Sequence, residues 1–168
     1  MNYSFNEARP ALEVFHTGDS VRAYDFLGAH LVYRNDKNGV VFRVWAPTAR
    51  SVSVAGDFNN WNNEANYMYN IGYGVWEVFV EGVKEFCTYK YCIESEYGDR
   101  LMKADPYAFH AQTRPGQASV VYDIESYSWN DSEWFNKRKE NNISSSPMNI
   151  YEIHAVSYTH LTLPTNSL

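Results

Sequence analysis

Residues 42–61, FRVWAPTARSVSVAGDFNNW, constrain the fold more than any other stretch of the chain. They hold two alternating runs separated by a break at Pro47, and the second run feeds a loop ending on an indole, Trp61, preceded by Asn59 and Asn60. Alternation with a period of two is the mark of a half-buried strand. An exposed loop that carries an indole beside amide side chains is also what a sugar-binding surface needs. The ring offers a flat apolar face, and the amides offer donors and acceptors at its edge.

The same pattern continues on both sides. Short alternating runs occupy residues 29–33, 40–46, 52–55, 75–80, 88–94 and 119–122, separated by Asn, Asp, Gly and Pro. Residues 36–39 (DKNG) and 96–99 (EYGD) place Gly or Asn where a hairpin needs positive φ. Several short strands at near-regular spacing predict an all-β chain, an immunoglobulin-like β-sandwich with short flanking helices. In the run 75–80 either face can point inward: Val75, Glu77 and Phe79 share one, and the more apolar Trp76, Val78 and Val80 share the other. Trp45 and Trp76 are expected in the core.

Composition narrows the partners. The 168 residues carry 14 basic and 20 acidic side chains, and the net charge of −6 opposes the phosphate neutralisation on which nucleic-acid affinity depends. No nucleic acid partner is expected. No apolar run approaches membrane-spanning length and the N-terminal sequence lacks an export signal, so the expectation is a cytoplasmic protein without a membrane partner. Cys87 and Cys92 lie five residues apart on one strand, roughly 16 Å at ~3.3 Å per residue, which excludes a disulfide between them. His16, His30, His110, His154 and His160 show no ligand spacing, so no metal and no cofactor is expected.

At the ends the pattern changes. Residues 1–28 form a lead-in segment in which Asp19, Ser20, Val21, Tyr24 and Leu27 have helical spacing that stops at Gly28. The sandwich covers 29–124. A short helix and linker follow over 125–147, with Trp129 and Trp134 packing the helix against its neighbours. Residues 148–154 resume as a strand with no partner in the sandwich, and 155–168 read as a non-native terminal scar.

Taken in order, YDFLGAH at 24–30, FRVWAP at 42–47, VSVAGDFNNW at 52–61, YKY at 89–91, KADPYAF at 103–109, RPG at 114–116, ASVV at 118–121 and MNIYEIH at 148–154 resemble one family. It is the N-terminal region of bacterial 1,4-α-glucan (glycogen) branching enzymes, whose carbohydrate-binding-type sandwich, similar to carbohydrate-binding module 48, precedes an α-amylase-like barrel. The resemblance implies an accessory domain that supports the barrel and guides α-1,4-glucan chains. Alternatives are a stand-alone glucan-binding module, the N-terminal domain of a debranching or trehalose-releasing relative, and an immunoglobulin-like interaction protein without a sugar role. After His154 the sequence departs from the family, so the chain is expected to end at the first strand of a missing barrel.

That departure limits the chemistry. A retaining glycosidase needs two carboxylates roughly 5–5.5 Å apart, and in barrel enzymes they sit at the strand ends of a fold of about 250 residues. The family's catalytic carboxylates have no counterpart here, so no catalytic residue is assigned and the chain is expected to be inactive. Of the carboxylates present, Asp57 is expected to fix its own turn. Binding is what remains. Trp61 reads either as a stacking face, with Asn59 or Asn60 at its edge, or as a plug closing the loop onto the sandwich. The loop also resembles the glycogen-binding modules of AMP-activated kinase β-subunits, and that likeness implies glucan contacts at Trp61 and Lys90. The second stacking tryptophan of those modules has as its counterpart only Tyr97. Asp105, Pro106, Tyr107 and Phe109 are expected at the interface with the barrel.

Overall fold

The computed structural model describes residues 5–140 and 147–151. The chain divides into two units, Met1–Tyr127 and Ser128–Leu168. In the first, a helix α1 (Phe5–Thr17) precedes nine strands: β1 (Gly28–Arg34), β2 (Lys37–Trp45), β3 (Ala49–Gly56), β4 (Tyr69–Gly72), β5 (Val75–Glu81), β6 (Thr88–Ser95), β7 (Arg100–Lys103), β8 (His110–Ala111) and β9 (Ser119–Val120). They form two sheets, one ordered β1-β2-β5-β4 and one ordered β3-β6-β9-β8 with β7 also on β6. All the pairings are antiparallel. The architecture is the expected all-β sandwich.

Its core follows from strand alternation. Val40, Phe42 and Val44 of β2 face Val52 and Val54 of β3 and Tyr89 and Tyr91 of β6, joined by Met68, Val83 and Val121. The first sheet buries its other face as well. There Leu12 of α1 meets Leu27, Ile71 and Val75. Both faces of β5 therefore pack, with Trp76, Val78 and Val80 against the main core and Val75 under the helix. Double burial explains why β2 reads as a nearly continuous apolar run. The one charge inside it, Arg43, sits directly across from Glu77 on the helix-covered face.

Several expectations need correction. The lead-in helix is α1, and residues 19–27 hold only one turn of 3-10 helix, Ala23–Asp25. The stop is Gly18, whose φ of +83° ends the helix while its amide bonds to the Phe15 carbonyl. Gly28 instead opens β1. The first hairpin turns on Asn35 and Asp36, which both take positive φ between the paired Arg34 and Lys37, not on residues 36–39. The second hairpin is as expected, with Gly98 at φ +89° between β6 and β7.

Trp76 lies against the core, its indole N–H donating to the Ala46 carbonyl. Trp45 does not. It ends β2 on the outer face, 51% exposed, and bonds the Tyr73 carbonyl. Strands β4, β7 and β8 escape the alternation pattern because they are short and mostly exposed.

In the second unit, α2 (Ser132–Glu140) buries none of its residues, and Trp129 and Trp134 are exposed rather than packed as expected. Arg138 stacks over Trp134 instead. Met148, Ile150 and Tyr151 are exposed, and 147–151 take no strand form. The rest of the expected barrel strand and residues 155–168 lie outside the described residues. No helix among the described residues is long and apolar enough to cross a membrane.

Candidate functional site

The candidate surface is the outer face of the second sheet, and strand register lays it out. On β6 the residues alternating with the inward-facing Tyr89, Tyr91 and Ile93 point outward, giving Thr88, Lys90, Cys92 and Glu94. Ala55, Ser53 and Ser51 of β3 stand opposite Lys90, Cys92 and Glu94, and Met102 and Arg100 of β7 stand opposite Cys92 and Glu94. At one end, β3 runs into a 3-10 turn, Asp57–Asn59, and then into Asn60 and Trp61, both at positive φ.

Asp57 organises that end. Its Oδ2 accepts the Thr88 amide at 2.8 Å and the Thr88 hydroxyl at 2.7 Å, and its Oδ1 accepts the Trp61 indole N–H at 3.2 Å. Asp57 was expected to bond amides of its own turn. It ties the loop to β6 instead, at Thr88, two residues before Lys90 on the same face of the strand. Partial burial works against its charge, but the three donors outweigh that and hold the carboxyl below its ordinary range.

A carboxyl whose pKa is lower folded than unfolded releases protons on folding. Its stabilisation is present above the unfolded value of about 4 and is lost as pH falls through the folded one. Asp57→Asn is therefore expected to be less stable than the parent at neutral pH, with the gap closing in acid. Urea midpoints measured across pH 2–7 check this.

The other residues singled out from the sequence fall in different places. Trp61 is 41% exposed, with its backbone amide on the Gly56 carbonyl. Its N–H is fastened while part of its ring stays open, so it combines features of both readings. Asn60 is exposed, and its side chain makes no hydrogen bond among the described residues. Asn59 points inward: its Oδ1 accepts the Gly56 amide, and its Nδ2 lies 2.7–3.1 Å from Val54 O, Asn62 O and Asn66 Oδ1. That amide is spent on holding the loop.

Lys90 is half-buried on the outer face. Tyr97 is 93% exposed at the tip of the β6–β7 hairpin, at the opposite end of β6 from Thr88. Seven residues of strand separate those ends, roughly 23 Å, so the structure does not bring Tyr97 to Trp61.

Gly56 makes the loop's return possible. A Cβ there would fall 2.2 Å from the Thr88 carbonyl and 2.7 Å from the Phe58 ring. Gly56→Ala is expected to cost about 1–3 kcal/mol by overpacking, visible as a lowered melting temperature.

The expected barrel interface is largely turned inward. The buried Asp105 accepts the Tyr89 hydroxyl at 2.7 Å, the Tyr91 hydroxyl at 3.1 Å and the Tyr107 amide at 2.8 Å, and its own amide donates to Ser119. Burial pushes its carboxyl up, against those hydrogen bonds and the nearby His30. Tyr107 packs on the second core. Pro106 is exposed. Phe109 makes edge contacts with Tyr24 and His30 and lines a cleft of about 450 Å³ with Arg22, Tyr122 and Asp123.

Two outer-face residues were missed, Tyr67 and Met102. Tyr67 bridges Ser53 at the free edge of β3, and Met102 lies in the short β7. Neither segment shows the alternation that signals a strand in sequence. Among the described residues no cluster of His, Cys, Asp and Glu is arranged to hold a metal.

Comparison with known proteins gives this surface a context. Residues 26–108 match the family model for carbohydrate-binding module 48, described as the isoamylase N-terminal domain. The 1,4-alpha-glucan branching enzyme GlgB of Bacillus cytotoxicus is 45% identical over 148 residues, which cover 88% of this chain and 23% of that protein. GlgB of Bacillus cereus strain Q1 is 43% identical over 145 residues, covering 86% of this chain and 22% of the relative. The chain thus spans less than a quarter of the length of these curated relatives. A pullulanase type I of Bacillus subtilis str. 168, solved in complex with maltose, superposes with a TM-score of 0.51 and 28% identity over 61% of this chain and 14% of its own. Through residues 26–108 the chain belongs to the carbohydrate-binding module 48 family, and over most of its length it is similar to bacterial 1,4-α-glucan branching enzymes.

Proposed function

We propose that the chain binds α-1,4-glucan as the accessory domain of a cytoplasmic 1,4-α-glucan branching enzyme, where it supports the catalytic barrel and guides chains toward it. One observation carries the binding reading: Asp57 fastens the Trp61 indole by its N–H to the Lys90 face of β6 and leaves the ring part-open. A fixed aromatic face stacks on the C–H patch of a glucose ring without first losing rotamer freedom, and Lys90 and Asn60 can bond the hydroxyls around it.

Barrel contact falls to Pro106, Phe109 and the cleft beside them, since Asp105 and Tyr107 are engaged within the domain. Electrophoresis of the full chain through native gels cast with and without glycogen tests the binding reading. Retardation by glycogen is expected, and unchanged mobility would refute it. The chain is expected to produce no α-1,6 branches from amylose.

A further inference from the structure

We propose that a second contact platform, built on Tyr67, Arg100 and Glu64, extends the glucan surface along the same sheet face and makes it selective for long chains. The inference rests on the reading of Trp61 and Lys90 as a glucan site, and it names what that site would prefer.

Register places the platform. Tyr67 lies directly across from Ser53, and Ser53 across from Cys92, which in turn faces Met102. Directly opposed residues share a face. Tyr67 and Met102 therefore flank Ser53 and Cys92, which lie buried beneath Asn63: the Ser53 hydroxyl donates to the Asn63 carbonyl, and the Asn63 side-chain amide bonds the Cys92 sulfur at 3.7 Å. Tyr67 is 47% exposed, and its hydroxyl makes no hydrogen bond among the described residues. One row further along, Arg100 donates to Glu64 at 3.1 Å and to Glu94 at 3.3 Å. This holds a guanidinium and an exposed carboxylate in place beside the ring, so donors and acceptors for sugar hydroxyls are already fixed.

The relief is shallow, since the depression among Ser51, Ser53, Asn63, Tyr67 and Cys92 holds about 10 Å³. That is room for one water and no more. A ligand must lie across this surface, as a polymer does. From Thr88, where the indole is fastened, to the Cys92 row is on the order of 13 Å of strand, wider than a single pyranose ring. A disaccharide cannot reach both aromatic residues, whereas a longer chain crossing Lys90 can. Linking two contacts in one ligand raises affinity without changing either contact.

Isothermal titration of the full chain with maltose and with maltoheptaose tests this. Tyr67→Ala is expected to weaken maltoheptaose about tenfold while changing maltose less than twofold, and Arg100→Met is expected to do the same to a smaller degree. Equal effects of Tyr67→Ala on both sugars, or none on either, would overturn the second platform. If Tyr67→Ala does not fold, Arg100→Met decides by the same comparison. Trp61→Ala is the separate control. If it leaves both sugars unaffected, the Trp61 site itself is wrong, whereas loss of both with no length effect from Tyr67→Ala removes the extension alone.

Discussion

Trp61→Ala is expected to weaken α-glucan binding by about 2 kcal/mol, roughly thirtyfold, because the substitution removes the aromatic anchor of the surface. The fold should barely register the loss. Trp61 belongs to neither core cluster, and its one side-chain hydrogen bond goes to Asp57, which keeps both Thr88 contacts in the variant. Binding and stability are thereby separated. Titration with maltoheptaose should show the thirtyfold loss while the urea midpoint moves little. Trp61→Phe keeps a ring but loses the N–H bond to Asp57, so it is expected to fall between the two, with a stacking face that is no longer fixed. Comparable binding by all three proteins would mean that the indole only closes the loop.

Glu77→Ala is expected to have the largest effect on stability, about 3–5 kcal/mol. Glu77 is 4% exposed and Arg43 7%, and the guanidinium Nε donates to the carboxylate at 2.6 Å. Arg34 approaches the same carboxylate at 3.6 Å, and Phe26 lies 4.5 Å from the Arg43 guanidinium carbon. Removing Glu77 leaves a buried guanidinium without this carboxylate, and a buried charge that loses its counter-ion is far more costly than an exposed one. The neighbouring pair Lys37–Glu81 supplies the control, since both side chains are more than half exposed. Glu81→Ala is expected to cost less than about 1 kcal/mol. Urea denaturation of the two variants side by side checks the contrast, and equal midpoints would contradict the structural role given to Arg43 and Glu77.

Legibility in the sequence followed burial. Strands with one or two packed faces announced themselves: β2, β3, β5 and β6 all carry Val, Ile, Phe or Tyr at alternate positions, and the sandwich followed from them. Edge strands β4, β7 and β8 did not, because little of their side-chain surface is buried and no apolar period results. The N-terminal helix was misplaced because Tyr24 and Leu27 have helical spacing, yet Leu27 is buried as the residue leading into β1 and not as part of a helix face.

The candidate site was half legible. Trp61 and Lys90 could be named from their motifs, and Asp57 ties the Trp61 loop to Thr88, the outward-facing residue next to Lys90 on β6. Asn59 could not be told from Asn60 in sequence, since adjacent amides look alike until backbone φ turns one inward and the other out. Tyr97 was singled out as the only counterpart of a second stacking tryptophan, but the hairpin tip carries it to the end of β6 far from Thr88. Asp105 shows the same limit from the other side. It was expected at the barrel interface, and its Oδ1 instead accepts the Tyr107 amide two residues on. Nothing local announced the two tyrosine hydroxyls that meet its carboxylate across 14 and 16 residues of chain.

The most direct test of the account is a ¹⁵N-resolved titration of the full chain with maltoheptaose. The Trp61 indole N–H and the amides of Thr88, Lys90 and Cys92 are predicted to shift together and to saturate with one affinity. Shifts confined to the cleft around His30, Phe109 and Tyr122, or none at saturating sugar, would contradict it.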